Sequence, residues 1–115
     1  MDAAEALTDL TDVSAQVREA VVLEQNGAIL ASTLDDDDRA RRLADAARAA
    51  LDAAGAIRAT GSARVTALEA ATRSGSLFVA AGKDAVCAAT TGPDEPSGLV
   101  LYDLRACLRS IEDDG

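Results

Sequence analysis

Two short apolar runs, Leu77-Phe78-Val79-Ala80 and Ala85-Val86-Cys87-Ala88, stand on either side of a tight Gly82-Lys83-Asp84 turn. Strands joined this closely run antiparallel, because a parallel pair needs a crossover of about a dozen residues or more. The same arrangement occurs upstream. Ala20-Val21-Val22-Leu23 and the stretch from Ala28 to Thr33 flank Gln25-Asn26-Gly27. Asn and Gly tolerate the positive φ of a primed hairpin turn, so this sequence predicts one. A continuous apolar run, with no polar alternation, describes a strand covered on both faces. The chain is therefore committed to a small antiparallel sheet, and helices must cover it.

Three helical stretches are available. Residues 2–17 repeat Ala3, Ala6, Leu7, Leu10, Val13 and Val17 at three- and four-residue spacing, with Asp2, Glu5, Asp9 and Asp12 mostly off that stripe. Acidic residues near the start suit the helix dipole. Arg18-Glu19 marks the exit. The second and longest helix is predicted from about Asp36 to Ile57. One face carries Leu43, Ala47, Ala50, Leu51, Ala54 and Ile57, and the opposite face Asp38, Arg41, Asp45, Arg48 and Asp52. Arg41 with Asp45 and Arg48 with Asp52 have the spacing of helical ion pairs, each contributing a few tenths of a kcal/mol, on the order of 0.3. Ala46, Ala49 and Ala53 form a strip beside the core face. Small residues there allow another helix to approach closely, although Ala is also simply the best helix former. The run Asp35 to Asp38 reads as the helix start, where carboxylates cap free N–H groups, and not as a cation site. Consecutive helical residues diverge, and no Gly follows at calcium-loop spacing.

After Gly61, the segment from Arg64 to Thr72 sets Arg64, Thr66 and Glu69 among Val65, Ala67 and Leu68. Such imperfect alternation suits an edge strand, or a strand with one half exposed. Arg73-Ser74-Gly75 turns the chain into the two central strands. Gly92-Pro93-Asp94-Glu95-Pro96 is a loop, since two prolines break both helix and ladder. The last helix opens near Ser97-Gly98 and repeats Leu101, Leu104, Leu108 and Ile111 at helical spacing, and the final acidic residues are expected to fray. The order α-β-β-α-β-β-β-α predicts an α/β sandwich, a five-stranded antiparallel sheet with helices on both faces. At 115 residues the chain is expected to be one domain, spanning 1–115 with its core at about 4–112.

Composition narrows the function. The net charge is −9, and the Arg residues are interleaved with Asp, so the basic footprint that nucleic acid requires is missing. The same charge disfavours an anionic membrane surface. No run approaches the roughly 20 apolar residues of a spanning helix. The acidic start has no basic n-region, so a cytoplasmic protein with reduced, buried Cys87 and Cys107 is expected. The chain has no His, which removes the commonest general base near neutral pH and the commonest metal ligand. Two separated Cys make no zinc pattern, and a Cys nucleophile would lack a base partner. Gly82-Lys83 has neither the glycine spacing nor the following Ser/Thr of a phosphate loop. No catalytic residue, cofactor or metal site is expected, and the chain reads as a non-enzyme. What remains is surface. A free sheet edge and a helix with a small-residue strip both suit pairing with a second copy.

Several stretches carry a resemblance. AVVLEQNGAILAST as the first hairpin, the long helix after it, Leu68 to Ala81, and above all SGLVLYDLR opening the last helix resemble the roadblock/dynein-light-chain domain family in its bacterial MglB-like form. The resemblance implies a roadblock-like sandwich and a dimer formed through the third strand and second helix. It implies a regulatory or scaffold role toward small Ras-like GTPases, with GTPase activation among the roles found in the family. By position, the dimer edge would be Val65, Ala67, Leu68 and Glu69; the small-residue strip Ala46, Ala49 and Ala53 would be where the two long helices touch. The partner-facing surface would involve Arg41, Asp45, Arg48 and Asp52. The family supplies a surface and no universal catalytic residue, so neither Arg41 nor Arg48 is expected to act as an inserted arginine. The alternative is a small-molecule sensor of PAS or profilin-like type. Phe78 and Tyr102 are the chain's aromatics, which leaves little to wall a ligand pocket.

Overall fold

A computed structural model describes residues 1–57 and 65–112. Gly61, Arg64 (the first residue of the expected edge strand) and the trailing Asp113 and Asp114 lie outside the described residues. The elements are α1 (Ala3–Val13), β1 (Val17–Glu24), β2 (Ile29–Ser32), α2 (Asp37–Ile57), β3 (Ala67–Ala71), β4 (Ser76–Ala81), β5 (Ala85–Thr91) and α3 (Ser97–Glu112). The strands form one sheet in the order β2-β1-β5-β4-β3, with every neighbouring pair antiparallel. The expected sandwich is therefore present, and β5, the last strand in sequence, sits at the sheet's centre.

Register sorts the sheet into two cores, because successive side chains point to opposite faces. Cys87 lies level with Val22 on β1 and Ala80 on β4, while Ala88 lies level with Val21 and Val79. The first set joins Phe78 and Ala89 beneath α1 and α3. The second joins Leu23 and Val86 beneath α2. Phe78 is 0% exposed and is the largest fully buried side chain of the first core. The second core has no aromatic residue and is filled by Val, Leu and Ala.

Local chemistry sets the boundaries. Asp36 Oδ1 accepts from the N–H groups of Asp38 (2.9 Å) and Arg39 (3.3 Å), so the acidic run does open α2. Asp2 caps α1 in the same way through the N–H of Glu5, at 2.8 Å. At the far end of the sheet, Glu112 Oε1 accepts from the N–H groups of Asp84 (3.0 Å) and Ala85 (3.3 Å), which ties the end of α3 to the β4–β5 turn.

Four expectations need correction. The first helix stops at Val13 and does not reach Val17. Ser14 N–H closes on Leu10 O at 2.9 Å, and Val17 is instead taken into the ladder opposite Thr91. Val13, placed on the core stripe by spacing, is 73% exposed. On α2 the buried stripe is Ala40, Ala44 and Ala47, with Leu43 and Leu51 packed at its flanks and Ile57 82% exposed. Hydropathy picks out the leucines, but closest approach to the sheet falls where side chains are smallest. The edge strand ends at Ala71, one residue before Thr72. Finally, the first hairpin is not a primed turn. Gly27 alone takes positive φ (95°), and Gly27 N–H donates to Glu24 O at 2.9 Å. This is a three-residue loop closed by a left-handed Gly.

Gly75, in the β3–β4 turn, lies against the backbone of β5. A Cβ there would sit 2.4 Å from Thr91 O. Gly55, inside α2, has nothing within 4 Å of the same position. Gly75→Ala is expected to destabilise the fold by about 1–3 kcal/mol through forced overpacking. Gly55→Ala is expected to stabilise it by up to about 1 kcal/mol through helix propensity. Urea denaturation of the two variants beside the wild type measures both signs.

Candidate functional site

The charged face of α2 stands over the β1–β2 turn. Arg41 Nη2 donates to Gly27 O at 2.8 Å, and Arg41 Nε donates to Asp45 Oδ1 at 3.0 Å. The helical spacing of Arg41 and Asp45 made the second bond possible, and the left-handed Gly27 presents the carbonyl for the first. Arg41, Asp45 and Arg48 line an open cleft of about 520 Å³ with Asn26, Gly27 and Ala28. Arg48 and Asp52 line the adjoining cleft of about 280 Å³ with Gln25, Leu51, Gly55, Val65 and Ala81. The four residues singled out for partner contact thus share one ridge. They are not equivalent, because Arg41 is held by two bonds while Arg48 and Asp52 form no ion pair with each other among the described residues. Such a ridge offers alternating charge to a protein surface. Among the described residues, no three His, Cys, Asp or Glu side chains converge as metal ligands, and no helix is long and apolar enough to cross a membrane.

The residues singled out for self-pairing fall on two elements. β3 hydrogen-bonds to β4 on one side, and no other strand among the described residues pairs with its second edge. Val65 precedes the strand and is half-buried, as are Ala67 and Leu68, while Glu69 is exposed. Register places Leu68 opposite Val79, on the face covered by α2. Glu69 points the other way, where Ser97 Oγ donates to its Oε1 at 2.5 Å. Ala46, Ala49 and Ala53 are exposed along α2, so none of the described residues covers the small-residue strip.

Two features escaped sequence reasoning. Arg39 forms an ion pair with Glu19 at 2.5 Å, and Glu19 also accepts from the Thr90 hydroxyl at 3.2 Å. These links join α2, β1 and β5 across long sequence separations, so no local pattern signals them. Tyr102 proves to be on the surface, 63% exposed, with the Arg109 guanidinium 5.9 Å from its ring centre. Phe78 lies inside the packed core, so the two aromatics share no ligand wall.

The unequal anchoring of the two arginines has a measurable result. Arg48→Glu is expected to leave unfolding stability within about 0.5 kcal/mol of wild type, as for surface changes that break no bond. Arg41→Glu breaks two exposed contacts and is expected to cost about 0.5–1 kcal/mol. Chemical denaturation of both variants distinguishes these outcomes.

Comparison with known proteins agrees with this architecture. The chain is similar in structure to a Roadblock/LC7 domain from Streptomyces avermitilis, at 20% identity, covering 99% of this chain and 98% of that one with a TM-score of 0.84. It is also similar to the gliding protein MglB from Thermus thermophilus, at 20% identity, covering 96% of this chain and 86% of that one with a TM-score of 0.78. Acanthamoeba castellanii profilin II shares the fold more distantly, at 14% identity, 96% coverage of each chain and a TM-score of 0.66. Comparison with curated protein sequences finds no match. The family model for the Roadblock/LC7 domain matches residues 3–91, from the first helix to the end of the central strand, and the chain belongs to the Roadblock/LC7 domain family.

Proposed function

We propose that this protein is a non-enzymatic, dimeric regulatory or scaffold module of the cytoplasm that binds and regulates a small Ras-like GTPase. The observation that carries the reading is family membership across most of the chain, joined to two surfaces that the described residues leave uncovered: the β3 edge and the Ala46, Ala49 and Ala53 strip. In the proposed dimer, β3 pairs antiparallel with its copy, so that one sheet runs through both protomers. Val65, Ala67, Leu68 and Glu69 line that seam, and the two α2 helices meet through their alanines. Arg41, Asp45, Arg48 and Asp52 form the platform for the GTPase. Arg41 is already committed to Asp45 and the Gly27 carbonyl, which speaks for a docking role and against insertion into the partner's nucleotide site.

The rival reading, a small-molecule sensor, draws on the profilin likeness, which is one of fold. A thermal-shift screen with nucleotides and metabolites separates the two, since a ligand at 100 times its Kd adds about 2.7 kcal/mol of stability.

The dimer is testable by sedimentation. The wild type is expected to sediment as a dimer and Ala49→Glu as a monomer of unchanged fold, because a carboxylate would be buried against its copy. A monomeric wild type at micromolar concentration would remove the dimer from the proposal. The partner is testable by capture from native lysate with a GTP analogue and, separately, with GDP. A small GTPase is expected on the wild-type protein and is expected to be lost with Arg48→Glu, which keeps the dimer. Retention in the GTP-analogue arm alone marks a reader of the active state, and retention in both marks a scaffold. No GTPase in either arm would leave the family fold without this partner.

A further inference from the structure

The face of the sheet beneath α2 continues past the row on which that helix rests. Register sets Leu68, Val79, Ala88 and Val21 level across β3, β4, β5 and β1, and α2 packs on that row. Two residues further along, Ala70, Leu77, Thr90 and Glu19 make the next row on the same face. All four line an open cleft of about 370 Å³. That volume lies within the range of ligand clefts, roughly 300–1,000 Å³.

Two glycines shape the walls. The β3–β4 turn lines the cleft with Thr72 and Ser74. A Cβ on Gly75 would sit 2.4 Å from Thr91 O, so glycine is what lets this turn lie against the end of β5. Arg18 comes from the start of β1, where the register with β5 shifts between Val17 and Glu19. Its guanidinium rests on Gly92, where an added Cβ would be 2.9 Å from Nη2 and 3.4 Å from Cζ. The arginine is therefore seated on bare backbone at the cleft.

The charges do not cancel. Arg18 is exposed, and its side chain forms no hydrogen bond or ion pair among the described residues. The carboxylate that lines the cleft is Glu19, which already holds Arg39 and accepts from the Thr90 hydroxyl at 3.2 Å. Arg18, Arg39 and Glu19 together leave one positive charge, in a chain whose net charge is −9. The clefts beside the α2 ridge differ, because Asp45 lines one and Asp52 the other along with their arginines. Among the hydroxyls, Thr72 Oγ1 donates to Gly75 O at 2.7 Å, so its proton is committed. Ser74 Oγ has a long contact of 3.4 Å to Thr72 Oγ1 and can turn its proton to a ligand.

We propose that this corner of the sheet binds a small phosphate monoester, with the phosphoryl oxygens on Arg18 and Ser74 and the organic group over Leu77 and Ala70. Arginine presents a planar fork of N–H donors that matches two oxygens of one oxyanion. A carboxylate would use both its oxygens on that fork. A phosphoryl group keeps a third for the serine hydroxyl, and the apolar part of the floor suits an ester group. The cleft shares no lining residue with the two clefts of the α2 ridge, so the site is independent of the GTPase reading.

The test is a titration of the isotope-labelled full chain with phenyl phosphate, at constant ionic strength set with sodium chloride, followed by amide chemical shifts. Saturable shifts are expected at Arg18, Ser74, Gly75 and Gly92, and phenol at the same concentrations is expected to leave them in place. Arg18→Gln is expected to weaken binding by about tenfold or more, as loss of a charged two-point contact should. Arg48→Gln, which removes a charge from the ridge, is expected to change it less than about twofold, since exposed charges further away than a Debye length are screened. Shifts that do not saturate, that centre on the α2 ridge, or that phenol reproduces would overturn the proposal. So would equal losses in Arg18→Gln and Arg48→Gln. The wild-type titration with its phenol control decides the matter by itself if either variant fails to fold.

Discussion

The ladder that β5 makes with β1 on one side and β4 on the other is the constraint on which the molecule depends. Val22, Cys87 and Ala80 lie level on one face, and Val21, Ala88 and Val79 on the other. Each set is the floor of a core, so a slip of one residue would exchange the floors and present the wrong side chains to both helical layers. Short turns bring β1 to β2, β3 to β4 and β4 to β5 locally, but nothing local brings β1 to β5. That long-range pairing joins the halves of the chain into a single sheet, and α1, α2 and α3 pack on its two faces.

Small side chains shape what is built on that floor. α2 rests on Ala40, Ala44 and Ala47, which lets the helix lie close to the sheet, where van der Waals contact replaces bulk. The same economy appears beneath α3, where the neighbours of Cys87 are alanines. Phe78 stands alone as a large ring in the core. The helix that is alanine on its buried side is alanine again along Ala46, Ala49 and Ala53, and charged along Arg41, Asp45, Arg48 and Asp52. One element therefore has three different faces: one packed on the sheet, one of exposed alanines and one charged.

Much of this was legible in the sequence because the signals were local. The Gly82-Lys83-Asp84 turn, the prolines after Gly92, the acidic opening of α2 and the apolar runs of the central strands all act within a few residues of themselves, and the structure places each where its chemistry requires. The errors fall where a distant partner decides. Val17 fits a helical stripe by spacing, yet Thr91 takes it into a ladder. Ile57 is apolar at the right period, yet the sheet does not extend under it. Asn26 could have taken positive φ, but the three-residue loop needed only Gly27 to do so. The charged ridge was visible as periodicity; the anchoring of Arg41 to the hairpin loop and the Arg39–Glu19 link were not, because each joins residues that only the folded sheet brings together.

The hydrogen bond from Ser97 to Glu69 joins two places far apart along the chain: the free edge of the sheet and the first turn of α3. It is exposed, so its net strength is modest, on the order of 1 kcal/mol. Even so, it makes the two places thermodynamically linked. Ordering of the edge strand steadies the start of the helix, and fraying of that turn loosens the edge, by the same free energy in either direction. The outermost strand of the sheet is thus in contact with the helix that closes one of its cores, and neither end of that bond is indifferent to what happens at the other.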